Sequence, residues 1–95
     1  GAEGSEREKW LSYICDEVHN AYCQGIQIEG ICLYPITDYL GWDDERHCQT
    51  GLLGLITPQG YRSVYTPLAQ EIQRQYIRFS RTALYYNFTS QILWP

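Results

Sequence analysis

Residues 28–34, with the sequence IEGICLY and halted by Pro35, constrain the fold more than any other part of this chain. From Gly30 to Tyr34 the run is apolar without strict alternation. A strand with one wet face alternates, whereas an unbroken apolar run suits a strand covered on both faces, as in a parallel sheet flanked by helices. Pro35 ends the ladder because it has no amide to donate. Such a strand needs neighbouring strands and a helical layer. The rest of the chain offers one further candidate strand, residues 51–57, and then the turn Pro58-Gln59-Gly60. The expectation is one slice of a larger α/β protein. The absence of methionine, position 1 included, leads to the same expectation.

Helices are predicted on either side. Over residues 5–24, Trp10, Leu11, Ile14, Cys15, Val18, Ala21 and Tyr22 recur at the spacing of one buried helical face. Ser5 followed by Glu8 predicts a capping box, and Gly25 suits the left-handed residue that closes a helix. Thr66-Pro67 predicts a second helix start, with Leu68, Ala69, Ile72, Tyr76 and Phe79 as its apolar stripe. Residues 1–80 thus read as one unit, and residues 81–95 as an aromatic, aperiodic tail of unassigned structure.

Ninety-five residues suffice for one small domain. A net charge of −4 with scattered Lys and Arg argues against a nucleic-acid partner. Arg74, Arg78 and Arg81 are the closest basic series and read as a solvated helix face. No apolar run reaches the ~18–20 residues of a membrane span, and no secretory leader pattern opens the chain. The expected compartment is cytoplasmic, so the sequon at Asn87 carries little weight. Cys15 and Cys23 fall on one helix about 12 Å apart along its axis, beyond disulfide reach, and reduced cysteines are expected. Cys15, His19 and Cys23 share a helical face, but no second pair stands at ligand spacing, so neither metal nor cofactor is expected.

Between Pro35 and Gly51 the chain holds Asp38, Tyr39, Trp42, Asp43, Asp44, Arg46 and His47. In α/β barrels chemistry sits on the loops at the C-terminal ends of the strands. The segments LYPITDYLGW, RHCQTGLLGLI and YRSVYTPLAQEI resemble the closing section of the family 1 glycoside hydrolases and their (β/α)₈ relatives. In that resemblance Asp38 and Trp42 match the Asp and Trp of the loop motif after strand eight. Arg46 lies near the family's Arg, Gly51-Leu52 matches its Gly-Leu, and Gly41 stands where the family has a sugar-holding Glu.

The resemblance, which covers roughly residues 1–80, implies an α/β fold: the C-terminal slice of a TIM barrel, comprising helix seven, strand eight, its loop and helix eight. It implies a parent β-glucosidase-like enzyme hydrolysing a β-linked glycoside with retention. The nucleophilic glutamate would lie just before Gly1 and the general acid far upstream, so this chain would hold no catalytic residue. Its contribution would be a carbohydrate-facing loop, with Trp42, Asp38, Tyr34, Tyr39, Asp43, Asp44 and Arg46 as the substrate-binding set. Stacked rings meet the CH faces of a sugar and carboxylates accept from its hydroxyls. Against this, Trp42 can also read as a packing residue, Asp43-Asp44 as a solvated turn, Asp38 as a residue ordering the loop, and Arg46 and His47 as ion-pairing groups. A rival reading is a free-standing, dimeric α+β binding module in which residues 28–34 and 52–57 pair as a hairpin under two helices.

Overall fold

A computed structural model of the chain describes residues 2–80; the tail division at 81–95 lies outside the described residues. The first helix, α1, spans Glu6–Cys23. Its start is built differently from a capping box. Ser5 makes no side-chain cap; instead Gly4, at φ +56°, turns the chain so that the Glu3 and Gly4 carbonyls accept from the Glu6 and Arg7 amides. The Glu8 carboxylate is drawn away, accepting the Tyr65 hydroxyl at 2.9 Å. The other end closes as expected. Gly25 sits at φ +86°, and the Ile26 amide reaches back to the Ala21 carbonyl, the reach of a Schellman closure.

The second helix, α2, spans Thr66–Phe79, with Tyr65 as its N-cap, one residue earlier than the sequence suggests. The two helices pack together around Leu11, Cys15, Ile31, Leu68 and Phe79, with Trp10, Val18, Ile72 and Tyr76 lining the edges. The α2 face toward the core also carries Glu71 and Gln75, both buried. Glu71 is satisfied by Arg74 and by the Gln75 amide at 2.6 Å. Arg78 crosses to Asp16 of α1 at 2.7 Å. Arg74 and Arg78 are therefore pinned to carboxylates; Arg81 lies outside the described residues.

The strand expected over residues 28–34 is not formed. Only Ile31 of that run is buried, while Cys32 is exposed and Tyr34 is 80% exposed. A strand exists only where a second chain segment accepts its ladder, and among the described residues none runs beside 28–34. Pairing begins later and is short. Strand β1, Tyr39–Leu40, pairs antiparallel with β2, His47–Cys48, in the register Tyr39 to Cys48 and Leu40 to His47. Residues 51–57 form no strand either; Leu53 alone bridges Thr37 in parallel and Val64 antiparallel. The hairpin of 28–34 with 52–57 is likewise not seen: Leu53 meets the chain beyond Pro35. No described helix is long and apolar enough to cross a membrane.

Candidate functional site

Residues 35–51 leave the helical core, double back through β1 and β2, and return at Gly51. Asp38 closes the base of this excursion. Its side chain is turned inward, and the residue is only 8% exposed. Oδ1 accepts the Gly51 amide at 2.8 Å, and Oδ2 lies 2.9 Å from His47 Nε2. Arg7 Nη1 stands 3.7 Å from Oδ1 and donates to the Gly51 carbonyl at 2.8 Å. Gly51 is required here. A Cβ would come within 2.4 Å of the Thr37 carbonyl carbon and 2.6 Å of the Asp38 nitrogen.

Arg7 is the hub of the base. It is 8% exposed, donates Nε to the Gly4 carbonyl at 2.8 Å, and lies 3.4 Å above the Tyr65 ring, a cation–π distance. Burial, together with the hydrogen bond to Glu8, pushes the Tyr65 phenol above its ordinary range. Arg7, Asp38, His47, Ser63 and Tyr65 border a polar cleft of about 330 Å³.

At the tip, the chain turns between β1 and β2. The Gly41 amide donates to the Arg46 carbonyl at 2.7 Å, Asp44 Oδ1 accepts the Arg46 amide at 3.0 Å, and Glu45 adopts a left-handed φ of 54°. A side chain at position 41 would meet Asp44 Oδ1 at 2.9 Å, so the glycine suits this tight tip. Arg46 grips Glu3 with both terminal nitrogens, at 2.8 and 3.1 Å. That bidentate grip lowers the Glu3 carboxyl and raises the Arg46 guanidinium. The Gly4 amide donates to the Gln49 carbonyl at 2.9 Å, so the N-terminal residues lie along the returning strand.

The seven substrate-binding residues expected from sequence separate into two groups. Tyr34, Tyr39 and Trp42 gather on an open groove of about 570 Å³, completed by Leu33, Pro35 and Ile36. Trp42 is 98% exposed. Asp38 borders the separate polar cleft, Asp44 caps the Arg46 amide, Arg46 is held by Glu3, and Asp43 stands exposed at the tip. Residue Arg7 was not singled out from the sequence. Its signal is present: position 7 precedes Leu11 and Cys15 by one and two helical repeats, so it shares their inward face.

The sulfhydryl of Cys15 is buried in the helical core, where burial pushes it up to about 11. Cys23 lies 3.8 Å from His19 Nδ1 on the exposed side of α1. Among the described residues no three His, Cys, Asp or Glu side chains converge to hold a metal ion. Comparison with known proteins found no matching family model, no matching curated protein and no matching solved structure.

Proposed function

We propose that this chain is the C-terminal portion of a (β/α)₈-barrel glycoside hydrolase, a divergent relative of family 1, that cleaves a β-linked glycoside with retention. In this reading residues 35–51 are the carbohydrate-facing loop after strand eight, and both catalytic glutamates lie outside the chain. The observation that carries it is the exposed cluster of Tyr34, Tyr39 and Trp42 on a loop whose base is locked by Asp38 and Gly51. Large rings left in water at a fixed position favour a ligand with apolar faces. The run at residues 28–34 adds support: an unbroken apolar run of this kind suits a strand flanked by barrel strands on either side. Carbohydrate is then the partner, no nucleic acid or membrane is called for, and the cytoplasm is the compartment.

The test is the product of the whole source reading frame. It should hydrolyse a β-glycoside with retention, and substituting a glutamate encoded just ahead of Gly1 by glutamine should abolish turnover. A frame with no glutamate in the few codons before Gly1 would sink the proposal.

One observation favours the rival, a small free-standing binding module. The two helices pack around a shared apolar core of Leu11, Cys15, Ile31, Leu68 and Phe79. Cooperative unfolding of the 95-residue chain by itself would favour that module.

A further inference from the structure

The loop carries an aromatic groove that can donate hydrogen bonds and, directly after it, an acidic tip. Tyr34, Tyr39 and Trp42 line the groove, of about 570 Å³, with Pro35, Ile36 and Thr37. Trp42 is almost wholly exposed, and its indole N–H can only donate. The Tyr34 and Tyr39 phenols and the Thr37 hydroxyl make no side-chain hydrogen bond among the described residues. Beyond Trp42 the chain continues as Asp43, Asp44 and Glu45, all exposed. Asp44 turns one oxygen to the Arg46 amide, while Asp43 and Glu45 form no ion pair among the described residues. The one base of the tip, Arg46, is already bound to Glu3. The end of the groove at Trp42 is therefore negative, on a chain of net charge −4.

These features select among the shapes a partner can present. A helix brings carbonyls already bonded within itself, so it would cover the groove's donors without supplying acceptors, which weakens binding. A polyproline II segment has no internal hydrogen bonds, so its carbonyls are free to accept, and proline has no amide to be matched. Its rings pack on aromatic faces, and its backbone is ordered before it binds. A cation beside the prolines would meet the acidic tip, whereas phosphates would be repelled there.

We infer that the groove formed by Tyr34, Tyr39 and Trp42 receives a proline-rich segment of a protein partner, with Lys or Arg beside the prolines to pair with Asp43 and Glu45. The inference rests on the free-standing binding module, the second reading above, and names the partner of that module. Trp42 is the platform and the donor, and Asp43 sets the charge of the flank.

Binding to the full-length product can be measured by fluorescence anisotropy with labelled peptides. The probe is a run of prolines ending in two arginines. One control ends in two glutamates, and another keeps the arginines but replaces the prolines with alternating glycine and serine. At low salt the probe should bind about tenfold tighter than either control. Trp42→Ala should weaken the probe at least about tenfold, and this variant keeps its fold because the side chain lies in water. Asp43→Lys, also at an exposed position, should narrow the gap between the arginine and glutamate peptides. Equal binding of either control, or binding unchanged by Trp42→Ala, would overturn the inference. No binding by a product that unfolds in one cooperative transition would overturn the partner and leave the module standing. No binding by a product that lacks such a transition would overturn both.

Discussion

Asp38 shows what one carboxylate does when it is turned inward. It accepts the Gly51 amide, pairs with His47, and lies beside the Arg7 guanidinium. Asp38→Ala would leave the Gly51 amide unpaired and the Arg7 charge buried without its counter-ion. Losing one partner of a buried charged pair costs about 3–5 kcal/mol, and a drop of that size in denaturant-derived stability is the expected result. Gly51→Ala forces a Cβ against the Thr37 and Asp38 backbone, so a loss of at least about 1–3 kcal/mol is expected in the same measurement.

Tyr65 carries a pH prediction. Its phenol is raised above the usual value of 10.0 by burial and by its bond to Glu8, so the neutral form is favoured in the fold. The stabilisation is fully present below pH 10 and lost as pH rises through the folded-state value. Thermal unfolding followed from pH 8 to 11 should show a fall at the alkaline end that is shallower in Tyr65→Phe. Parallel curves for the two proteins would refute it.

At the scale of elements, the helices are the legible part. The sequence places both ends of α1 and the start of α2 within about one residue of those observed, because a helix satisfies its own backbone and needs from its surroundings only an apolar face. The expected strand at 28–34 fails for the complementary reason. An apolar run reports burial, but a ladder requires a partner segment whose position no local pattern encodes. The two buried polar residues of α2 were equally illegible. Glu71 and Gln75 satisfy each other and Arg74, and only the packed structure brings that about.

The α1–α2 interface gives a contrast that can be measured. Phe79 is fully buried, and Phe79→Ala should cost about 3–5 kcal/mol. Arg78→Ala removes a partly exposed pair with Asp16, and should cost about 1 kcal/mol. Similar losses for the two variants would mean that the helices are held by charge rather than by the apolar core.

Taken whole, the chain leaves Tyr13, Ile26, Tyr34, Trp42, Ile56, Tyr61 and Ile77 in water. If it is a slice of a barrel, the isolated 95-residue chain should bind a dye specific for exposed apolar surface and unfold over a broad range of denaturant. A sharp, dye-free transition would contradict that reading. The candidate site was half legible at this scale. Trp42, Tyr34 and Tyr39 could be picked from sequence as ring-bearing loop residues, and they do share a groove. Asp38 could be read from sequence as a residue ordering the loop; its partners could not, since Arg7, His47 and Gly51 are remote in sequence or set by the turn.

The closure at Asp38 and Gly51 also bears on how such a chain can change over generations. Once the two ends of a loop are fastened together, lengthening the span between them adds little entropy cost, about 0.6 kcal/mol for each doubling. The tip from Trp42 to Glu45 can therefore be lengthened at small entropic cost while the Arg46–Glu3 pair and the helices behind it stay in place. The Asp38–Gly51 fastening is the part that has to stay for the loop to keep its base.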